Sequence, residues 1–357
     1  MKILCVIDSL GSGGAQRQLV SLAKGFKEKG HEVSFLVYHK EDFYREELER
    51  EGIDIAFIIE PNYVKRLFKM RKFIRAGKYD SVLSFLEAAN FIATVSGFPY
   101  RKWKLVVGER SANPNILKSF KLRFYRWFHI FADYVVANSH ANLDIVRKIN
   151  PLLSKKKCKV IYNAVEIPKQ SNGLPLKEKF RVVIGASHRK LKNLDGLIDA
   201  VNLLPVENKK KLIIDWYGEK NVDDSYSLGL KKIEKYNLLK IFNFHDPTTN
   251  LMNEIEHSNA IGLFSFYEGF PNFICEGMAL NKPIICSPVS DLPKLLKDNI
   301  NTFFCDPSQP QSIADSIIKL MDMKEDDIIK MCEENQAIVK KSFAKDQIVN
   351  EYLDLLS

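Results

Sequence analysis

Two glutamates stand eight positions apart in the apolar segment SFYEGFPNFICEGMALNKPIICS. Glu268 lies in a loop that contains Gly and Pro, and Glu276 lies about one turn into a helix that we expect to begin near Asn272. Carboxylates accept hydrogen bonds from sugar hydroxyls, and the N–H groups at a helix start suit a diphosphate. Because an unpaired carboxylate is costly among apolar residues, the segment predicts a binding site for a nucleotide-sugar.

Gly11, Gly13 and Gly14 form a second candidate site in the sequence DSLGSGGAQRQ. They follow a short apolar run and open a helical pattern, so their backbone can approach an anion closely. A dinucleotide fingerprint needs a glycine where Gln16 stands, and it needs an acidic residue about 20 residues further on, which is missing. We therefore expect no NAD site. The loop is either a phosphate-facing loop or a tight turn whose glycines only pack.

Short β-branched runs alternate with helical patterns along the chain. The first run, Ile3–Ile7, is followed by the glycine loop and then by apolar residues at helical spacing from Ala15 to Phe26. Such alternation is typical of an α/β fold in which helices cover both faces of a parallel sheet. Ligands of open α/β sheets bind beyond the carboxyl ends of the strands, so we expect the chemistry there.

The length of 357 residues predicts two domains, since single cores rarely exceed ~250 residues. The alternation pauses over residues 163–177, which are polar and contain Pro and Gly, and a second α/β unit starts with Phe180–Ala186. We therefore expect one domain over residues 1–165 and another over residues 166–342.

The sequence argues against a zinc-binding protein, a disulfide-rich protein and a membrane-spanning protein. Six scattered cysteines lack the paired spacing of a zinc site or of a disulfide framework. The first apolar run is far shorter than the ~20 residues of a membrane span and is also short for a secretory signal. We therefore expect a cytoplasmic protein. An Asp-x-Asp motif is absent from the sequence, so we expect no metal requirement.

The net charge of +9 is unevenly distributed, since residues 61–131 hold 15 basic residues against 3 acidic ones. Within this stretch, residues 116–131 place aromatic side chains at helical spacing between cations. In one alternative, the aromatic face packs into the core and the cations are solvated. In the other, the aromatic side chains and the cations together bind the domain to anionic lipid, and each basic residue contributes ~1 kcal/mol to the free energy of binding. The residues concerned are Phe120, Phe124, Trp127, Phe128 and Phe131 with Lys118, Lys121, Arg123 and Arg126, and a second basic cluster contains Lys65, Arg66, Lys69, Arg71, Lys72 and Arg75.

The chain resembles the family-4 retaining glycosyltransferases of the GT-B fold, in which two Rossmann-like domains face each other across a cleft. Their Glu-x7-Glu signature is matched by Glu268 and Glu276, and GMALNKPIICS continues the pattern. GSGGAQRQL matches the family's first loop and helix, VIYNAVE its interdomain turn and YLDLL its closing helix. The resemblance therefore covers essentially the whole chain. It implies an acceptor-binding first domain, a donor-binding second domain and a final helix of about residues 343–357 that packs back on the first.

The resemblance also implies roles for residues of the second domain. Glu268 contacts the donor sugar, Glu276 binds the ribose, and the intervening loop offers backbone groups to the sugar and the diphosphate. His188 and His245 lie near the expected donor loops, although a lone histidine is more often structural. The donor-binding candidates are Gly13, Gly14, Ser187, His245, Gly269, Phe270, Pro271, Asn272, Phe273 and Glu276.

The family carries an Arg and a Lys five residues apart that neutralise the leaving diphosphate. In IGASHRKLKNLDGLI the lysine is Lys192, but the arginine position holds Ser187, so that Arg189 or Lys190 replaces the missing charge. Without the surrounding match, Lys192 would be read as a solvated lysine in a basic turn. The candidate catalytic residues are Glu268, Lys192 and Arg189.

Many relatives have a histidine in a loop of the first domain that faces the donor sugar, and the comparable stretch here, LVVGERSANPN, has none. Glu109 and Arg110 occupy it, and each is either an acceptor-facing residue or part of a structural ion pair. Glu87 is a third acceptor-side candidate.

The implied reaction moves a hexose or N-acetylhexosamine from a nucleoside diphosphate sugar, for which we expect UDP, to a hydroxyl of a glycan. The resemblance implies a lipid-linked acceptor at the inner face of the membrane, in the synthesis of a cell-envelope polysaccharide. We expect no cofactor beyond the substrate and no nucleic acid partner. The alternatives are a sugar-nucleotide epimerase of the same architecture and a non-enzymatic nucleic-acid binder, which the basic, aromatic stretch would favour.

Overall fold

The computed structural model describes residues 1–111, 114–167 and 178–357. Most of the predicted pause between the domains, residues 168–177, and two residues of the LVVGERSANPN stretch lie outside the described residues.

In the described part of the chain the strands are β1 (Lys2–Val6), β2 (Glu32–Val37), β3 (Asp54–Phe57), β4 (Ser81–Phe85), β5 (Lys104–Glu109), β6 (Tyr134–Ala137), β7 (Cys158–Val160), β8 (Phe180–Gly185), β9 (Leu212–Tyr217), β10 (Phe242–His245), β11 (Ala260–Leu263), β12 (Ile284–Cys286) and β13 (Phe303–Phe304).

The α-helices are α1 (Gly14–Glu28), α2 (Arg45–Arg50), α3 (Tyr63–Ala76), α4 (Glu87–Ser96), α5 (Phe120–Trp127), α6 (His140–Ile149), α7 (Leu194–Leu203), α8 (Val206–Lys211), α9 (Ser225–Lys235), α10 (Leu251–Glu256), α11 (Asn272–Ala279), α12 (Leu292–Leu295), α13 (Pro310–Met321), α14 (Glu325–Ser342) and α15 (Lys345–Leu356).

The chain divides into two compact units. The first contains Met1–Ala164 together with Ala344–Ser357, and the second contains Val165–Phe343. Within the described residues, no helix combines the length and the apolar composition that a membrane crossing requires.

Parallel strands form the sheet of the first unit, in the order β3-β2-β1-β4-β5-β6-β7. Side chains alternate between its faces, as in any strand. Cys5 of β1 therefore packs in the core that contains Phe26 of α1 and Tyr352 of α15, whereas Val6 packs in the core that contains Ile92 of α4. At Gly25 of α1, an added Cβ would lie 2.4 Å from a methyl group of Val349, so glycine allows α15 to pack closely.

The second unit repeats the plan, with parallel strands in the order β10-β9-β8-β11-β12-β13. Ile184 of β8 and Trp216 of β9 pack in one core with Ile198 of α7 and Ile317 of α13. Asn193 begins α7 in the left-handed conformation, which Asn tolerates well, and its side chain accepts a hydrogen bond from the N–H of Gly196. The predicted α/β fold of two Rossmann-like domains is confirmed.

Candidate active site

The loops that follow β8 and β11 meet at the carboxyl edge of the second sheet, because these strands are neighbours. The N–H of Phe266 donates to the carbonyl of Leu191 at 2.9 Å, which ties one loop to the other. Lys192 Nζ lies 2.5 Å from Glu268 Oε1, and the Ser265 hydroxyl donates to the same oxygen at 2.6 Å. Two of the predicted catalytic residues, 76 positions apart in sequence, are thus in direct contact.

The Lys192–Glu268 ion pair is mostly shielded from water, with 18% and 13% of the two side chains exposed. Each charge offsets the cost of desolvating the other. A lysine ammonium has three donor hydrogens, and the glutamate uses one of them. Lys192 can therefore bind an anion while it still holds Glu268.

Helix α11 begins directly after this loop. It packs against β11 because Gly277 has no side chain, since a Cβ there would fall 2.0 Å from the Ile261 Cδ1 atom. Its N-terminal N–H groups and the helix dipole favour an anion at the start of the helix. Glu276, one turn further on, is buried, with 7% of the residue exposed.

The apolar side chains of the EGFPNF loop point into the protein. Phe270 packs on the ring of Phe343, with 5.6 Å between centroids. A Cβ on Gly185 would touch the ring of Phe273 at 2.6 Å, and Pro271 is buried as well. A ligand can therefore contact the backbone and the polar side chains of this loop, but not the buried rings of Phe270 and Phe273.

The loop after β8 contains the residues that were predicted to replace the missing arginine. Ser187 is half-buried. Lys190 Nζ pairs with Asp224 Oδ1 at 3.0 Å, so its charge is directed to the loop after β9. Arg189 is exposed, and its guanidinium has no partner among residues 1–111, 114–167 and 178–357. Arg189 is thus the cation that a phosphate could recruit here.

The two histidines near these loops differ in environment. His188 is fully buried among the rings of Trp216, Tyr226 and Phe244, and burial lowers its pKa to about 4, so it is a neutral core residue. His245, in contrast, is partly exposed. It stacks on Tyr217 with 4.4 Å between the ring centroids.

Asp215 holds His245 in place, with 2.8 Å between Oδ1 and Nε2, and also accepts from Arg181 and Asn243. Burial raises the pKa of Asp215, but the hydrogen bonds from His245 and Arg181 outweigh it and leave the pKa below its ordinary value. The carboxylate is therefore ionised and fixes the orientation of the His245 ring. Asp215 and Arg181 could not be recognised from local sequence patterns, because their partners lie on other strands and on α10.

The acceptor-side candidates lie in the first unit, where Glu109 ends β5. It is 2% exposed, and its two oxygens lie 2.7 Å from Arg126 Nη2 and 2.6 Å from His129 Nε2. Burial raises the pKa of Glu109, but Arg126 and His129 lower it to about 2. Of the two roles considered for Glu109, the geometry matches the structural ion pair and not an acceptor-facing carboxylate.

The other two acceptor-side candidates also have partners. Arg110 donates to Asn163 Oδ1 at 2.9 Å and to the Tyr352 hydroxyl, and it covers the ring of Phe85. It therefore links β5 to α15, which is again a structural role. Glu87 begins α4 and lies 3.2 Å from Arg126, yet a quarter of its side chain is exposed. Of the two carboxylates among these candidates, Glu109 is buried and Glu87 is accessible to a ligand.

Gly14 is the first residue of α1 in the first unit, and Gly13 is its N-cap. The other donor-binding candidates belong to the second unit. Gly13 precedes the helix, and a Cβ there would lie 2.3 Å from Gln16 Oε1. Gln16 in turn donates to Asp8 Oδ1 at 2.9 Å. The glycine thus makes room for a side chain that closes the loop.

In the part of the chain that the structure describes, no three His, Cys, Asp or Glu side chains form a group that could hold a metal ion.

Two family models match consecutive parts of the chain. The model described as "Glycosyltransferase Family 4" matches residues 12–168, and the model described as "Glycosyl transferases group 1" matches residues 165–340. The chain belongs to glycosyltransferase family 4. The glycosyltransferase has the GT-B architecture of two Rossmann-like domains, each built on its own parallel sheet.

Two curated relatives of the glycosyltransferase come from Campylobacter jejuni. An N-acetylgalactosamine-N,N'-diacetylbacillosaminyl-diphospho-undecaprenol 4-alpha-N-acetylgalactosaminyltransferase is 26% identical, over 99% of both chains. A GalNAc-alpha-(1->4)-GalNAc-alpha-(1->3)-diNAcBac-PP-undecaprenol alpha-1,4-N-acetyl-D-galactosaminyltransferase is 28% identical, over 84% of this chain and 83% of the relative. Among solved structures, Anabaena HepE in complex with UDP and glucose matches with a TM-score of 0.88 and 19% identity, over 100% of this chain and 99% of HepE.

Proposed function

We propose that this glycosyltransferase moves a hexose or N-acetylhexosamine from a UDP-sugar to a hydroxyl of a lipid-linked glycan, with retention at the anomeric carbon and without a metal ion. The proposal extends to a role in cell-envelope polysaccharide synthesis. Its main support is the contact between Lys192 and Glu268 beside the start of α11, with Glu276 buried one turn along that helix. A cation, a carboxylate and a helix N-terminus lie together there, as a charged sugar donor requires.

In this proposal the donor lies along the loop from Gly269 to Phe273. Glu276 accepts hydrogen bonds from the ribose hydroxyls, and Glu268 accepts from a hydroxyl of the transferred sugar. The diphosphate binds at the N-terminus of α11, within reach of Lys192. Lys192 keeps two donor hydrogens beside its bond to Glu268, so it can hold the sugar-binding carboxylate and the phosphate together.

The reaction breaks the bond between the anomeric carbon and the diphosphate oxygen, and negative charge grows on the leaving phosphate. Lys192, Arg189 and the start of α11 supply the positive charge that stabilises it, and this role needs no metal ion. The acceptor oxygen forms its bond on the face that the phosphate leaves. The acceptor's proton passes to an oxygen of the leaving phosphate, and the result is net retention.

His245 is the proposed contact of the uracil base. Its ring is held from one side by Asp215 and stacked on Tyr217, and it remains partly exposed at the end of β10. Because Asp215 is ionised, it accepts a hydrogen bond from Nε2–H of His245, which leaves Nδ1 as a hydrogen-bond acceptor when the ring is neutral. An acceptor suits the N3–H of uracil.

The names of the two Campylobacter relatives support a lipid-linked acceptor, since both contain a diphosphate or PP group joined to undecaprenol. The proposed position of the acceptor is the carboxyl edge of the first sheet, where Glu87 keeps an accessible carboxylate. A carboxylate there can orient the acceptor hydroxyl.

Helix α5 supports docking of the first domain on an anionic membrane. Phe120 is 83% exposed, and Phe124, Trp127 and Phe131 are exposed as well. Of the two alternatives for this aromatic face, packing into the core does not fit these four side chains. Exposed apolar patches of this kind mark sites of membrane or protein contact.

Arg126 of the same helix is 0% exposed, which corrects its place among the predicted lipid-facing cations. Its guanidinium reaches inward to Glu109 and Glu87, so α5 buries an arginine and exposes phenylalanines. In the second basic cluster, Arg71 and Arg75 donate to backbone carbonyls between Val95 and Tyr100. Lys69 pairs with Glu60 Oε2 at 2.6 Å. The exposed cations that remain for lipid headgroups are Lys65, Lys72, Lys118, Lys121 and Arg123.

The tyrosines of α3 and α5 join the two helices, with 3.3 Å between the hydroxyls of Tyr63 and Tyr125. Phe68 of α3 is also exposed. The proposed membrane surface therefore consists of the outer faces of α3 and α5, and we propose that the protein works at the inner face of the membrane.

The test is a binding and turnover screen over UDP-, GDP- and ADP-sugars. Thermal shift measures binding, because a ligand of the folded state raises its stability by mass action. We expect a UDP-sugar to raise the unfolding temperature and a polyprenyl diphosphate glycan to accept the sugar. An isomerised donor in the absence of any acceptor would indicate an epimerase, and the absence of any nucleotide-sugar binding would rule out the proposal.

A further inference from the structure

A third hydrogen bond ties the loops at the carboxyl edge of the second sheet. The hydroxyl of Ser290, in the loop after β12, donates to the carbonyl of Gly269 at 2.5 Å. Gly269 directly follows Glu268 and lies three residues before the start of α11. Ser290 has no part in the mechanism proposed above.

The backbone of Ser290 lies in the left-handed region, with φ at +54°. This region is unfavourable for residues with a Cβ, although Asn occupies it more readily than most. Four of the other non-glycine residues found there are asparagines, namely Asn193, Asn237, Asn281 and Asn299. Glycine would relieve the strain at position 290 but would lose the hydroxyl. Serine is therefore unfavourable for the backbone conformation at position 290, but its hydroxyl provides the hydrogen bond to Gly269.

We propose that Ser290 is a positioning residue of the donor site, an inference that rests on the proposed function. Its hydroxyl fixes the peptide plane between Gly269 and Phe270. Glycine is the residue with the widest backbone freedom, so an unpinned Gly269 would let the turn rotate. That turn joins the Glu268 carboxylate to the start of α11. The hydrogen bond thus sets the sugar contact and the diphosphate contact at a fixed separation before the donor binds.

This role makes stability and donor binding respond differently to substitution. Ser290→Gly removes both the hydroxyl and the strain, whereas Ser290→Ala removes the hydroxyl and keeps the strain. If Ser290 serves only the fold, Ser290→Ala should be less stable than the wild type, and Ser290→Gly should bind the donor as the wild type does. A positioning serine makes both variants bind the donor less well, whatever their stability.

The experiment measures UDP affinity by calorimetry, the KM for the UDP-sugar and the unfolding midpoint of each variant. We expect both variants to bind UDP roughly three- to tenfold more weakly, as for the loss of one hydrogen bond in an ordered site. We expect the midpoint of Ser290→Gly to equal or exceed that of the wild type, and that of Ser290→Ala to fall below the glycine variant. Asn237→Gly is the matched control, since Asn237 has φ at +56° in the same unit but precedes β10 at the opposite edge of the sheet.

Wild-type UDP affinity in Ser290→Gly would overturn the inference while leaving the proposed function intact. Weaker UDP binding in Asn237→Gly as well would also overturn it, because the effect would then follow from backbone freedom anywhere in the unit. A wild-type protein that binds no nucleoside diphosphate would overturn the proposed function and this inference with it.

Discussion

Arg126 and Glu109 form a fully buried ion pair in the first unit, with 2.7 Å between Nη2 and Oε2. The pair holds α5 to the end of β5, and Glu87 and His129 form further contacts with it. Removal of one partner would leave the other charge buried and uncompensated, which typically costs about 3–5 kcal/mol. The fold of the first domain therefore depends on this pair.

Acid pH tests the pair directly. The pKa of Glu109 is about 2 in the folded protein against an ordinary value of 4.5, because Arg126 and His129 outweigh the effect of burial. A carboxyl whose pKa is lowered by folding adds stability above its ordinary pKa, and this stability is lost as the pH falls from about 4.5 towards 2. We expect on the order of 3 kcal/mol from this carboxyl at neutral pH.

Urea unfolding of the wild type and Glu109→Gln between pH 7 and pH 3 measures this contribution. The difference in unfolding free energy between the two proteins should shrink as the pH falls, since the other carboxyls titrate in both. A difference that stays constant with pH would show that the charge of Glu109 contributes little.

Replacement of Glu276 by alanine should weaken nucleotide binding. The carboxylate is buried one turn along α11, and a charge-assisted hydrogen bond is worth about 1.5–3 kcal/mol. We expect the UDP affinity to fall tenfold or more in calorimetry, while circular dichroism shows a folded protein. Glu234→Ala, on the exposed side of α9, is the matched control and should bind UDP as the wild type does. Unchanged affinity in the Glu276 variant would remove the ribose assignment.

Lys192→Ala should lower kcat more than it raises the KM for the donor. The ammonium meets charge that grows as the phosphate leaves, which is a transition-state effect and not uniform binding. Lys192→Arg should restore part of the turnover, because arginine keeps the charge beside Glu268. Lys190→Ala provides the comparison, since Lys190 pairs with Asp224. Full turnover in Lys192→Ala would transfer the role to Arg189.

Binding to vesicles tests the proposed membrane surface. We expect the protein to co-sediment with anionic but not with neutral liposomes, and we expect salt to weaken the binding. Replacement of Lys118, Lys121 and Arg123 by Ser should weaken it without unfolding the protein, because these side chains are exposed. Arg126 is left in place, since its loss would disturb the fold. A protein that ignores anionic vesicles at low salt would favour an acceptor in solution.

Much of the fold follows from local sequence patterns. The β-branched runs predict the strands from β1 to β12, whereas β13 has two residues, Phe303–Phe304, too few to show any periodicity. The EGFPNFICE segment is recognisable because its glutamates stand in apolar sequence. The family resemblance implies that Lys192 and Glu268 both act on the donor, but their direct contact depends on β8 and β11 being neighbours.

The orientation of α5 was not predictable from its own residues. A helical pattern of aromatics between cations is compatible with an aromatic face in the core or on a lipid surface, whereas in the structure Arg126 lies inside and Phe120 outside. The deciding partners of Arg126 are Glu109 and Glu87, which are 17 and 39 positions away. The role of Ser290 was not predictable for a similar reason, because neither its left-handed backbone nor its hydrogen bond to Gly269 follows from the local sequence.

The packing of α15 on α1 has a consequence for the order in which the chain folds during synthesis. The first unit takes Ile348, Val349 and Tyr352 into its core, and these residues leave the ribosome after the whole of the second unit. The amino-terminal half therefore waits with part of its core open until its carboxyl-terminal counterpart has been translated. A nascent chain stopped at Phe343 would hold a complete second unit and an unfinished first one, with its apolar α1 surface available to chaperones.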